Sequence, residues 1–464
     1  MITNFVKGFI GDKKFYKYLL VIMLPIMLQT GITNLVNMLD NVMIGSVGTN
    51  ETTGVAVANQ LIFVFNLCIF GTVSGAGIFG AQFFGKGDNE GLRHTLRFKL
   101  YSATALTVGA ILLFLFAGRW LVNLYLMGEG DVNDAAASME FAITYLNVML
   151  IGLIPYTIAQ CYATSLRETG QTLLPMYAGI SAVGINLFLN WVLIFGNLGA
   201  PVMGIEGAAI ATLTARICEF VITAVYLFFI EKRLKFRFSH IFSKCGYLVS
   251  DFLRHGTPVI VIEVLWSLGM SVQAGILGHI TYSAGDPVAA NSIMSIVQQL
   301  STVFLFGVAN ASGVMVGKSI GEGNIDYVKK QAFTFNIFAV VMGLFAAVFI
   351  YVAKAPMLSF YDFPEETLAL AGDLIDVMAV ITFFVSFAAT NIMGVLRGGG
   401  DTTFCLVSET VCIWCIALPA AFMALKLSWP VPVVFALMKS DEVIKVVVSL
   451  CRFRNDNWIH TLTR

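Results

Sequence analysis

Between Lys17 and Lys86 the chain carries no lysine or arginine, and that run limits what it can fold into. It is long enough for two membrane-crossing helices of about 20 apolar residues each. The first crossing is not purely apolar. Leu24 to Gly45 reads LPIMLQTGITNLVNMLDNVMIG and includes Pro25, Gln29, Thr33, Asn34, Asn37 and Asp40. On a helix, Gln29, Thr33, Asn37 and Asp40 fall within an arc of about 80°. An acid at membrane depth costs about 2.5–3.5 kcal/mol on insertion scales, so Asp40 is expected to face a cavity or a partner rather than lipid.

The whole chain follows the same pattern. Of its 464 residues 58% are hydrophobic and 12% charged, against about 45–50% and about 25% in a soluble domain. This predicts an all-α integral membrane protein. Hydropathy and charged breaks place about twelve helices, near 17–45, 52–84, 96–118, 137–165, 171–196, 205–231, 250–279, 285–317, 329–353, 368–396, 402–426 and 430–453. Several exceed what a bilayer requires, which predicts tilted or bent helices, Pro25 and Pro258 being natural bends.

Basic residues such as Lys86, Arg93, Arg97, Lys99, Arg167, Lys232, Lys235, Lys244, Lys318, Lys329 and Arg397 fall in alternate connections. The other connections hold Arg119, Lys354 and Lys426 among acids such as Glu129, Asp131 and Asp362. By the positive-inside rule both termini are expected in the cytoplasm, with the chain multi-pass in a cell inner or plasma membrane. The start, MITNFVKGFIGDKK, lacks the pattern of a cleavable signal and reads as a retained flank. Lys+Arg and Asp+Glu balance at 28 each, so nothing suggests a nucleic-acid partner. Cys412 and Cys415 form C-x-x-C inside an apolar run, and the five histidines are scattered. Neither pattern resembles a metal site.

The chain also repeats itself. GIFGAQFFGKGDNEG from Gly77 aligns with GVMVGKSIGEGNIDY from Gly313, LRETGQT from Leu166 with LRGGGDT from Leu396, and Pro25 with Pro258. Two homologous halves follow, expected at 1–231 and 250–464 and joined by a cytoplasmic linker at 232–249. Partners start on the same side, so the halves are related by an axis along the membrane normal, an arrangement that places a site between halves. Gly75 to Gly80 fits the G-x-G-x-x-G dinucleotide pattern, but inside a membrane helix close packing explains it better.

Several groups besides Asp40 are chemically suggestive. Asn186 and Asn190, four apart, share a face, and Thr212 supplies a hydroxyl. With Asp40 they offer hard oxygen ligands suited to a small cation such as Na⁺. Alternatively Asp40 alone takes up a proton, because desolvation favours its neutral form. Glu263 lies one turn beyond Pro258 and is a second candidate for cation coupling. Arg216 with Glu219, and Lys439 with Glu442, are spaced i,i+3 and recur in both halves, with Asp441 and Lys445 four apart. These six are expected to form structural ion pairs.

Taken together, the Pro25-to-Asp40 segment with MIG, GAQFFGKGD, LRETGQT and LRGGGDT, NLFLNWVLIFG, GIEGAAIAT and DEVIKVVVSLCRFRNDNW resemble the multidrug and toxic compound extrusion (MATE) family across essentially the whole chain. The resemblance implies two six-helix bundles around a central cleft and export of organic, often cationic, compounds in exchange for H⁺ or Na⁺. It implies Asp40 as the coupling carboxylate, surrounded by Asn186, Asn190 and Thr212. Asn190 stands where the family often has aspartate, and Ser386 where some branches place an acid, so the pattern looks closer to the DinF-like branch. Gln29, Thr33, Asn37, Phe63, Met270 and Gln299 are candidates for contacting cargo.

No cofactor and no metal beyond a Na⁺ at Asp40 are expected. The anticipated partners are small organic substrates and the lipid bilayer, with the chain acting as a monomer. A lipid-linked oligosaccharide flippase of the same superfamily should need a strongly cationic cleft for pyrophosphate, whereas acids stand on helices one and seven. An integral membrane enzyme would need clustered His/Asp/Glu or a nucleophile–base pair, and none is visible.

Overall fold

The computed structural model describes residues 12–126, 132–234, 236–237, 240, 248–361 and 363–463. Most of the predicted 232–249 linker lies outside them, as do Lys235, Lys244, Glu129, Asp131 and Asp362. Among the described residues, 11 helices are long and apolar enough to cross a membrane. They are α1 Lys13–Gly45, α2 Thr49–Lys86, α3 Asn89–Leu126, α4 Asp134–Glu168, α5 Leu173–Phe195, α6 Gly204–Ile230, α7 Val249–Gly278, α8 Pro287–Gly321, α9 Ile325–Ser359, α10 Glu365–Leu396 and α11 Thr402–Lys426. The described residues form no strand.

The twelfth expected span is divided into α12 Val431–Met438 and α13 Ser440–Arg452. At the junction Lys439 leaves helical geometry, with φ −102° and ψ 6°. Its ammonium donates to Gln273 Oε1 at 2.8 Å, a partner within the protein that compensates a buried charge. Neither piece alone reaches the length of a span.

Helix ends follow their sequences. Asp286 accepts from the amides of Val288 and Ala289, and Pro287 occupies the first turn of α8. Asn324 caps α9 by accepting from the Tyr327 amide. Gly196 ends α5 in the left-handed region at φ 72°. Helices α2 and α3 run 38 residues each, about 57 Å at 1.5 Å per residue. Arg97 and Lys99, read from sequence as connection charges, are instead buried inside α3. The apolar stretch of α3 begins only after that charged first segment.

The chain divides into two compact units, 28–80 with 89–252, and 1–27 with 81–88 and 253–464. In the first, α5 packs along α6, α4 along α6, and α3 along α4. In the second, α8, α9 and α10 pack on one another. One core there gathers Ile293, Val297, Leu374, Ile375, Val434 and Phe435. Another joins Phe15, Leu19 and Ile22 of α1 to Val316, Phe335 and Val395. The first helix therefore contributes its opening turns to one unit and the remainder to the other.

The repeat is visible in side-chain contacts. Arg119 pairs with Glu140 at 3.1 Å between α3 and α4, and Lys354 with Asp376 at 2.6 Å at the matching place between α9 and α10. Repeat-related residues also meet each other within the second unit. A Cβ on Gly85 would strike the Lys318 carbonyl oxygen, and one on Gly321 would strike that of Gln82. Gly85 matches Gly321 and Gln82 matches Lys318, so the last turns of α2 and α8 touch backbone to backbone through a reciprocal pair of glycines. That approach needs residues without side chains.

Candidate functional site

Asp40 sits in the last turns of α1, half-buried rather than facing bulk solvent. Asn190, fully buried on α5, donates from Nδ2 to Asp40 Oδ1 at 2.8 Å. One turn earlier on α5, the Asn186 amide faces the same carboxylate. Oriented so that both its ends are satisfied, it donates to Asp40 Oδ2 at 2.7 Å and accepts from Thr212 Oγ1 at 3.1 Å. Thr212 on α6 has a single hydroxyl proton, shared between that amide oxygen and the Ala208 carbonyl at 3.0 Å. The i,i+4 spacing of the two asparagines aims both at one target.

Two features give this cluster chemical latitude. A primary amide has a donor end and an acceptor end in nearly the same outline. Its N–H₂ end suits an ionised carboxylate. With its oxygen at the same 2.7 Å, it would suit a carboxylic acid, for which O–H···O distances are about 2.7–2.8 Å. In addition, Asn190 Oδ1 is buried without a hydrogen-bond partner. A buried acceptor left open is costly, and it is a hard oxygen of the kind that ligates Na⁺. The donor set fits such an ion.

The other sequence candidates are placed as follows. Gln29 Oε1 accepts from Arg167 Nη2 at 2.9 Å. Thr33 is half-buried and Asn37 exposed on α1. Phe63 is exposed in the first unit, and Met270 and Gln299 are exposed in the second. Glu263 belongs to a different compact unit from Asp40. It is buried there, and Arg397 Nη2 donates to its Oε1 at 3.0 Å. An arginine already satisfies that carboxylate, so its geometry is that of an ion pair. Arg167 and Arg397 are repeat partners, and each grips the first helix of its half four or five residues beyond the proline.

Of the six residues expected in ion pairs, Asp441 and Lys445 do pair, at 2.7 Å. Lys445 also holds Glu409 at 2.7 Å and Glu442 at 3.3 Å. For the two i,i+3 pairs the contacts run elsewhere. Arg216 lies over the Tyr156 ring at 4.9 Å. Lys439 turns to Gln273. In both cases the partner lies on a neighbouring helix.

Sequence reading missed three groups. Tyr145 of α4 is buried beside Thr212 and Asn59. Arg167 was counted only as a connection charge. Lys99 and Glu168 form a buried ion pair, and Gly77 and Gly80 make room for the Glu168 carboxylate. That last fact accounts for the second and third glycines of the G-x-G-x-x-G pattern. The signal available was a lysine and a glutamate at the ends of apolar runs, which hydropathy alone assigns to loops.

Comparison with known proteins gives a consistent result. The family model MatE matches residues 25–192 and 258–423. The chain is similar to a protein named probable multidrug resistance protein NorM from Thermotoga maritima, 26% identical over 412 residues, 88% of this chain and 86% of that protein. It is 28% identical over 416 residues to a protein of the same name from Halalkalibacterium halodurans, 88% and 87% covered. Among solved structures, an outward-facing multidrug resistance MATE family transporter of the MOP superfamily superposes with a TM-score of 0.84 at 20% identity, covering 94% and 95% of the two chains.

Proposed function

This chain belongs to the MatE family, and from that membership we propose that it exports organic, often cationic, compounds by exchanging them for H⁺ or Na⁺ at Asp40. It is a multidrug efflux transporter of the membrane, not an enzyme. The single observation that carries the ion assignment is the Asp40–Asn186–Asn190–Thr212 cluster, an acid inside a span with amides ready to serve either of its charge states.

The cycle we propose is alternating access. On the outer side H⁺ or Na⁺ neutralises Asp40, which changes what the Asn186 and Asn190 amides must satisfy and releases the compound. On the inner side loss of the ion restores a carboxylate that favours a cation. A unit charge crossing 100 mV gains about 2.3 kcal/mol, roughly a fiftyfold bias. Both termini are cytoplasmic in this scheme and the chain acts as a monomer. Gln29, Thr33, Asn37, Phe63, Met270 and Gln299 are the proposed cargo contacts. Placement of the free acid in the first half, with Glu263 already paired, supports a DinF-like pattern and leaves Glu263 outside the coupling.

The test is efflux of a cationic dye from vesicles under a pH gradient or a Na⁺ gradient, with native protein and Asp40→Asn. Native protein should respond to at least one gradient and the variant to neither. Equal export by both proteins under both gradients would refute the assignment.

A further inference from the structure

The chain beyond α13 is tightly held. Trp458 is buried, with its ring edge against Phe453 at 5.3 Å. It seats over Gly399, where a Cβ would strike both the indole and the Trp458 carbonyl. The His460 amide donates to Gly399 O at 2.8 Å. Arg452 Nε donates to Asp401 Oδ2 at 2.7 Å, and Lys329 Nζ to Asp456 Oδ2 at 2.7 Å. These contacts fix the segment on the ends of α9, α10 and α11.

From there it reaches α2. Gln82 is completely buried, and its side-chain amide reads the tail backbone as a neighbouring strand would. Its Nε2 donates to His460 O at 3.0 Å, and its Oε1 accepts from the Leu462 amide at 2.8 Å. Gln82 also supplies the carbonyl against which Gly321 of α8 is packed. One residue thus joins the tail to the reciprocal glycine contact. Most of α2 belongs to the other compact unit, while its last turns are grouped with α8 and the tail.

We propose that residues 455–463 are a strap that, through Gln82, holds the last turns of α2 and α8 together and sets how readily those ends separate. This rests on the alternating-access reading, in which they must part once per cycle. The strap slows that step by adding the tail's hydrogen bonds to what has to break, and a buried amide left without them is disfavoured.

Amide hydrogen exchange on the full-length protein in lipid nanodiscs tests it. Three variants loosen the strap from different sides: Gln82→Ala removes the side-chain amide, Leu462→Pro removes the N–H it accepts from, and Gly399→Ala displaces Trp458. The last two lie outside the helices that touch and carry the test if Gln82→Ala does not fold. Exchange should rise about tenfold or more over 317–323, the end of α8 and the turn that follows it, as well as over the tail. Faster exchange of the tail alone, with 317–323 at the native rate, would overturn the strap. Because exchange is read without cargo or gradient, native protein that fails to export dye yet shows this response would refute the transport reading and leave the strap standing.

Discussion

At the scale of single residues, two acids that both look like coupling groups in the sequence, Asp40 and Glu263, differ in their partners. Asp40 is met by neutral amides, whereas Glu263 is met by Arg397 at 3.0 Å. Neutral partners leave a charge free to be titrated or exchanged, and a cation consumes it. Asn186→Leu removes the donor facing Asp40 Oδ2 and leaves a hydroxyl and a carboxylate less satisfied, at about 1–3 kcal/mol. The expected result is a gradient-driven export rate lowered about tenfold or more with unchanged membrane insertion, measured by dye efflux beside a quantified protein band. For the second acid, Arg397→Met strands a buried carboxylate and should destabilise the protein by about 3–5 kcal/mol, seen as a lower unfolding temperature in detergent. Adding Glu263→Met to that variant should restore most of the loss. Failure of the double variant to recover would mean the pair is not the reason the single variant suffers.

Elements show what patterning could and could not reveal. The long apolar runs announced eleven spans, most within about four residues of their ends, because desolvating a helix over that length leaves few alternatives. Helix α3 begins seven residues earlier and ends eight later than expected, and α9 ends six later. The break at Lys439 was not legible, since the Gln273 that draws its ammonium lies on α7, far away in sequence. The same limit applies to Lys445, whose three acids come from α11 and α13. Lys445→Met leaves those carboxylates mutually repelling in a buried place and should lower the unfolding temperature more than Glu442→Gln does.

Asp401, in the turn between α10 and α11, gives a pH-dependent prediction at this scale. Burial pushes its carboxyl up, but hydrogen bonds from His460 and Arg452 and their charges outweigh that and hold it below its ordinary 3.8. A carboxyl depressed in the folded state adds stability that is complete above the unfolded value and is lost as pH falls through the folded one. The gap in unfolding temperature between native protein and Asp401→Asn should therefore be constant near neutrality and narrow only below about pH 4. A gap that closes between pH 6 and 8 would contradict the assignment to Asp401.

For the whole molecule, the duplication carried most of the argument. Matching glycines, prolines and LR-x-x-G-x-T motifs predicted two halves, and the structure places repeat partners in contact at Gly85 and Gly321. The asymmetry between the halves was only half legible. Asp40 stands out by the local polar stripe that ends on it and the asparagines by their i,i+4 spacing, but the meeting of Asp40 with Asn190 and the pairing of Glu263 with Arg397 both depend on the fold. What the account asserts of the assembled transporter is one exchangeable ion at one acid. Adding a transported cationic compound to purified protein at fixed pH should displace that ion, read as proton release in weak buffer or as loss of bound radioactive Na⁺. Native protein should release close to one ion per compound bound and Asp40→Asn none, whereas equal release from both would contradict the account.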